Sequence, residues 1–311
     1  MKETRIVFFG TPEFALYALD SLQKSFTVAA VVTQPDRPSG RGKKILPSPV
    51  KLRAQALGIP LFQPVKIRTA EFAAWLQSIS PDFLVTAAYG KILSPQILAV
   101  PRISALNVHA SLLPRWRGAA PIHRAVLAGD CESGITIIEM DEGMDTGDII
   151  LQDSVPIGLN ETSGDLHDKL TDLGAKLIVE AVTAILAGTA KKVAQDDNLA
   201  TLAPPLTKEE EMLDWSASTG VIHNQIRGMS PWPGMYTRFK GERLKIWAGR
   251  PLHLSGANCG QVLAAGKEGI LVGTGDGAYC ISLLQPPGKK IMDAAAFLRG
   301  NLLLPGAILG K

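Results

Sequence analysis

Long apolar runs are missing from this sequence: it holds no stretch of roughly 18 uncharged apolar residues, so no membrane-spanning helix is expected. Cysteine is scarce. Cys131, Cys259 and Cys280 are odd in number and far apart, with neither metal-ligand nor redox spacing, and read as buried thiols in a reducing compartment. The 5 histidines, His109, His123, His167, His223 and His253, lack ligand spacing among themselves, so no metal is expected. The first strand-to-helix turn, Gly10-Thr11-Pro12, lacks the spaced glycines that let a backbone approach a pyrophosphate, which excludes a dinucleotide site. No Gly-x-Ser-x-Gly elbow occurs, so a Ser-His-Asp hydrolase is excluded. Asp145-Thr146-Gly147 has no second copy, and an aspartic-protease dyad needs two. Met1-Lys2-Glu3-Thr4-Arg5 lacks the order of a signal peptide, and a cytoplasmic location is expected. Internal repeats and low-complexity tracts are absent as well.

A chain of 311 residues exceeds what one hydrophobic core usually serves, and 46% hydrophobic content suffices for two. The first half reads as alternating strands and helices. Arg5 to Gly10 and Thr27 to Thr33 are continuous apolar runs flanking a helix whose start, Thr11-Pro12-Glu13, has a capping Thr and a Pro suited to the first turn. Such a β-α-β opening implies a parallel sheet. Ser48-Pro49 caps a further helix, Asp82 to Ala87 is a strand ending in Tyr89-Gly90-Lys91, and Gly134 to Met140 and Asp148 to Val155 suggest a hairpin. A long amphipathic helix runs from Thr162 to Leu186 and stops at Gly188. Residues 1–188 are therefore expected to form an α/β domain and the polar, Pro-containing segment 189–206 a linker. Over 207–311 a helical piece at Ala217 to Arg227 precedes short runs separated by Gly turns, the pattern of a small closed or half-closed β-barrel.

Net charge is only +3, but from Arg227 onward there are 11 Lys and Arg against 4 Asp and Glu. That excess fits a polyanionic partner, and on charge alone fits a solvated surface equally. A second basic stretch, Arg37, Arg41, Lys43 and Lys44 interleaved with Gly40 and Gly42, lies between Gln34 and Pro49. It exceeds the usual strand-to-helix loop, and such long loops are functional or disordered. Trp232, between Pro231 and Pro233, reads as a packing anchor, with a surface for bases or ribose as the alternative.

Chemistry concentrates at Asn107-Val108-His109-Ala110-Ser111-Leu112-Leu113-Pro114. Strand alternation puts Asn107 and His109 on one face. Asp145, in the Gly-bracketed loop Asp141-Glu142-Gly143-Met144-Asp145-Thr146-Gly147, supplies a carboxylate. An amide, an imidazole and a carboxylate without an activated Ser or Cys suit proton management and oxyanion stabilisation in a direct acyl transfer.

The run His-Ala-Ser-Leu-Leu-Pro-Arg-Trp-Arg-Gly followed by Asp-Glu-Gly-Met-Asp-Thr-Gly resembles the folate-dependent formyltransferases, and the resemblance covers nearly the whole chain. Ala110 departs from the Pro often found there, which implies a change in loop stiffness and no loss of chemistry. The resemblance implies a Rossmann-like, mostly parallel sheet with helices on both faces and a smaller C-terminal OB-like barrel. It implies Asn107, His109 and Asp145 as the catalytic trio, Ser111, Leu112, Leu113 and Pro114 beside the folate, and the 34–49 insertion on the acceptor end of a tRNA. The expected donor is 10-formyltetrahydrofolate, the expected partner a charged initiator tRNA, and the expected assembly a monomer. Two alternatives stay open: a formyltransferase acting on an amino sugar nucleotide, and a non-enzymatic nucleic-acid-binding protein. The insertion is expected to be mobile until tRNA orders it, with Arg41 near its tip.

Overall fold

Ile6, Val7, Phe8 and Phe9 are all at 0% exposure, so the first strand is covered on both faces and belongs in the interior of a sheet. The computed structural model describes residues 3–39, 44–254 and 256–310. In it the chain divides into one unit of Met1–Pro121, Ser133–Val155 and His167–Pro204, and a second of Ile122–Glu132, Pro156–Leu166 and Pro205–Lys311.

The first unit carries a seven-stranded sheet in the order Ile149–Pro156, Glu132–Glu139, Ser104–His109, Phe83–Ala87, Arg5–Gly10, Thr27–Val32, Leu61–Phe62. From Ser104–His109 to Leu61–Phe62 all neighbours are parallel, and Glu132–Glu139 is antiparallel to Ser104–His109. Val7, Phe9, Leu84 and Ala105 share one face with Phe72, Ala73 and Leu76 of the helix Ala70–Ile79. Val108 lies on the other face, where Gly174 of the helix Ser163–Leu186 approaches so closely that an added Cβ would sit 3.1 Å from it. Helices thus cover both faces, as the buried strands require.

The cap expected at Ser48 is present and the one expected at Thr11 is not, while Thr69 caps a further helix. Ser48 Oγ accepts from Lys51 N at 3.1 Å, and Thr69 Oγ1 accepts from Phe72 N at 3.2 Å. Thr11 does not cap: the helix begins at Phe14, and the Thr11 hydroxyl donates to the Tyr89 carbonyl at 3.3 Å. Of the cysteines only Cys280 is buried; Cys131 and Cys259 are exposed. No helix among the described residues is long and apolar enough to cross a membrane.

The basic insertion is flanked by a hairpin, Arg37–Ser39 pairing antiparallel with Lys44–Leu46. Arg41 and Lys43 lie outside the described residues, and of Lys44 only the backbone is described.

Segment 189–204 is not a loose connection. It belongs to the first unit, pairing Val193 with Ile149 through two backbone hydrogen bonds and laying Leu202–Ala203 parallel to Arg117–Gly118. Composition suggested a linker because backbone pairing makes no demand for apolar side chains.

In the second unit the strands run Met235–Phe239, Glu242–Leu252, Ala278–Gln285, Gly269–Gly273, Val262–Gly266, antiparallel throughout, with Met292–Asp293 added to Ala278–Gln285. One face closes on Ile246, Val272, Ile281 and Phe297. The two end strands are not paired with each other among the described residues, so the half-open form of the expected barrel is the one present. Trp232, expected to pack, is 67% exposed, its carbonyl facing His123 Nε2 at 3.3 Å.

Candidate active site

Asn107 and His109 share the sheet face of Thr86, because Asn107 pairs in register with Thr86 and side chains repeat every two residues. The Thr86 hydroxyl donates to Asn107 Oδ1 at 2.6 Å, which fixes the amide orientation and turns its nitrogen outward. That nitrogen donates to Asp145 Oδ1 at 3.1 Å. The loop after Glu139 folds back over this face, with Met140 packed against its core, and so brings in a carboxylate 38 residues away in sequence.

Asp145 is held from several sides. Its Oδ2 accepts from Gly118 N at 2.9 Å. Its backbone has a φ of 56°, a left-handed conformation that costs free energy for a residue with a side chain. Within the loop, Asp141 Oδ1 accepts from Gly143 N at 3.0 Å and Thr146 Oγ1 at 2.7 Å. Gln195, outside the expected site, donates from Nε2 to the Asp145 carbonyl at 2.9 Å and to the Gly147 carbonyl at 2.7 Å. Its Oε1 accepts from Arg117 Nε at 3.0 Å and Nη2 at 2.8 Å.

His109, 5% exposed, lies between two acceptors, with Nε2 3.0 Å from the Trp116 carbonyl and Nδ1 3.5 Å from Asp145 Oδ1. A carbonyl only accepts, so in this geometry Nε2 carries a proton and Nδ1 faces the Asp145 carboxylate.

The segment Ser111 to Pro114 is fixed by polar contacts beneath it. Thr136 Oγ1 donates to the Ser111 carbonyl at 2.6 Å, and Gln152 Nε2 donates to the Leu113 carbonyl at 3.0 Å. Ser111 is fully enclosed and its hydroxyl donates to the Arg115 carbonyl at 2.6 Å, while Leu113 is 3% exposed. Leu112 and Pro114, both half-buried, are the members with accessible apolar surface.

Near the strand end, Gln34 Nε2 donates to the Tyr89 carbonyl at 2.8 Å and Gln34 Oε1 accepts from Arg37 Nη2 at 2.8 Å. Burial pushes the Tyr89 phenol up to about 12, so it stays neutral. Desolvation and the Arg37 charge hold the Lys91 ammonium below the usual lysine range, which puts a second cation beside Arg37. Among the described residues no group of three or more His, Cys, Asp or Glu side chains could hold a metal ion. Thr86, the Gly118 amide, the Trp116 carbonyl and Gln195 could not be picked out from sequence; Trp116 and Gly118 at least lay within the Arg-Trp-Arg-Gly run.

The chain matches a known class. Residues 4–182 match the family described as formyl transferase, and residues 205–302 its C-terminal domain. The chain belongs to the formyl transferase family. Among curated relatives, methionyl-tRNA formyltransferase of Moorella thermoacetica is 49% identical over 308 residues, covering 98% of this chain and 99% of its own. The protein of the same name from Geobacter sulfurreducens is 45% identical over 312 residues, covering 100% and 98%. Among solved structures, an N-formyltransferase from Helicobacter canadensis in complex with folinic acid and dTDP-3-aminofucose has a TM-score of 0.70 at 21% identity, over 91% of this chain and 100% of that one. HypX from Aquifex aeolicus has a TM-score of 0.66 at 18% identity, and this chain, 98% covered, spans 49% of it. At those identities the two structures speak for the fold alone.

Proposed function

We propose that the protein transfers the formyl group of 10-formyltetrahydrofolate to the α-amine of methionyl-initiator tRNA, supplying formylated initiator for translation, as a cytoplasmic monomer. The observation that carries this is near-full-length identity of 45% to 49% with relatives of that name, together with Asn107 and His109 converging on the Asp145 carboxylate. The amine attacks the formyl carbon, a C–N bond forms, and the carbonyl oxygen becomes an oxyanion. The Asn107 amide has a second N–H, not used on Asp145, which can donate to that oxygen. Asp145 and His109 Nδ1 are the acceptors available for the amine proton, directly or through water. As the bond to the folate nitrogen breaks, that nitrogen takes the proton, leaving tetrahydrofolate and formyl-methionyl-tRNA. Leu112 and Pro114 are assigned as apolar wall for the folate, with Ser111 and Leu113 supporting them from within.

The tRNA is assigned to two basic regions. On the outer face of the C-terminal sheet, Tyr236 lies opposite Lys245, and Arg238 opposite Arg243. Like charges directly opposite destabilise a sheet, and among the described residues none of these three cations has a carboxylate within ion-pair distance. Arg243 stacks over Tyr236 at 4.4 Å and Lys245 lies 5.3 Å from the Trp247 ring centroid. Cations interleaved with aromatics suit a phosphate backbone and its bases. Replacing Arg238 and Arg243 by Gln should weaken tRNA binding and flatten the plot of log affinity against log salt by about one for each phosphate that is no longer neutralised. An unchanged slope in the folded variant removes this face from the interface.

The second region is the insertion bearing Arg37, Arg41, Lys43 and Lys44. Arg41→Leu should strongly reduce formyl transfer to subsaturating charged tRNA while leaving folate binding nearly unchanged; full retention of transfer would make the insertion a solvated loop. The reading as a whole is tested by formyl transfer from 10-formyltetrahydrofolate to charged initiator tRNA, with charged elongator tRNA and a dTDP-amino sugar as parallel acceptors. Preference for the sugar would replace the tRNA assignment.

A further inference from the structure

We propose that Gln195 is a positioning residue for the reaction: its amide carries Asp145 in register with the turn that supplies the Gly118 amide. This role rests on Asp145 taking part in formyl transfer. From segment 189–204, Gln195 reaches both site loops, meeting the Asp145 and Gly147 carbonyls with its nitrogen and the Arg117 guanidinium with its oxygen. Each end of the amide is thereby used. Arg117 is held in addition by Asp197 at 2.8 Å, so the guanidinium is a fixed point to which the loop is referred.

The rest of the segment grips the same two loops. Lys192 pairs with Glu139 and Val193 with Ile149 on either side of the Asp145 loop. Thr201 Oγ1 accepts from Trp116 N at 2.9 Å, and the Thr201 carbonyl accepts from Arg117 N at 2.8 Å. Trp116 and Gly118 are the residues whose backbone groups hold His109 Nε2 and Asp145 Oδ2. The left-handed backbone at Asp145 would relax towards another conformation if its carbonyl were released, carrying the carboxylate away from Asn107 and His109. A loop with that strain needs an external hold, and the Gln195 amide provides it.

Gln195→Glu separates positioning from packing. It keeps the length and the bond to Arg117, but sets a carboxylate oxygen against two carbonyl oxygens where an N–H donor stood. We expect kcat to fall about tenfold or more with the KM for 10-formyltetrahydrofolate changed less than about threefold. Gln195→Met, uncharged and of similar length, should lose kcat to a similar extent, and the unfolding midpoint of each variant is read alongside. In an Asp145→Asn background either substitution should cost less than about a further twofold, because the group being positioned is already gone. Normal turnover of Gln195→Glu, or a loss that stays multiplicative with Asp145→Asn, overturns the proposal. Normal turnover of Asp145→Asn alone would instead remove the reading on which it rests, so the two failures are distinguishable.

Discussion

Asp145→Asn should lower kcat for formyl transfer by about a hundredfold or more, with much smaller changes in the KM for folate and tRNA. In the wild-type protein both carboxylate oxygens accept, one from Asn107 Nδ2 and the other from Gly118 N. An amide in the same place must turn its NH2 towards one of these two donors, breaking that hydrogen bond. It also loses the charge and the basic oxygen nearest His109 Nδ1, 3.5 Å away. Steady-state kinetics on the folded variant decides the matter. Near-normal kcat would show that Asp145 only shapes the loop, and the proton would then have to pass through His109 alone.

Gly147→Ala should be almost as damaging although it changes no reacting group. A Cβ built on Gly147 lies 1.8 Å from the Glu139 carbonyl oxygen and 2.9 Å from its carbon, and these are backbone atoms of a strand inside the sheet. Since they cannot yield cheaply, the loop must move. A displacement of about 1 Å at a reacting group can cost on the order of a hundredfold in rate, and overpacking of this kind destabilises by about 1–3 kcal/mol. The expected result is therefore a large fall in kcat together with a lower unfolding midpoint. Gly220→Ala is the control, because a Cβ there meets nothing within 4 Å in the helix Thr219–Gly228, and both quantities should hold. Full activity of Gly147→Ala would mean that the loop geometry tolerates a shift, and the close hold on Asp145 would lose its mechanistic weight.

How far such a site can be read from residues alone depends on the range of the rule. The alternation of a strand is local, so Asn107 and His109 were placed on one face from their spacing, and the apolar run Ile6 to Phe9 announced a strand covered on both sides. Ser48 before Pro49 announced its helix for the same reason, since a cap is settled within four residues. The sign of the charge near the C-terminus was also plain, although which strand face would gather Arg238, Arg243 and Lys245 required the hairpin register.

Most of what orients the site comes from elsewhere in the chain. The Thr86 hydroxyl that turns the Asn107 amide comes from the neighbouring parallel strand, 21 residues earlier, and parallel register cannot be read from either strand separately. His109 shows from sequence only its face of the strand, whereas the Trp116 carbonyl at Nε2 and the Asp145 carboxylate at Nδ1 fix how its ring is set. The polar segment 189–204 illustrates the limit most clearly. Its attachment runs through backbone pairing and scattered polar side chains, the Gln195 amide among them, and these leave neither a hydrophobic period nor a motif. Sequence thus determined which chemical groups and which local faces this protein would have, because those follow from dihedrals and side-chain period; the tertiary structure decided which of them meet, because hydrogen-bond partners dozens of residues apart are chosen by the path of the whole chain.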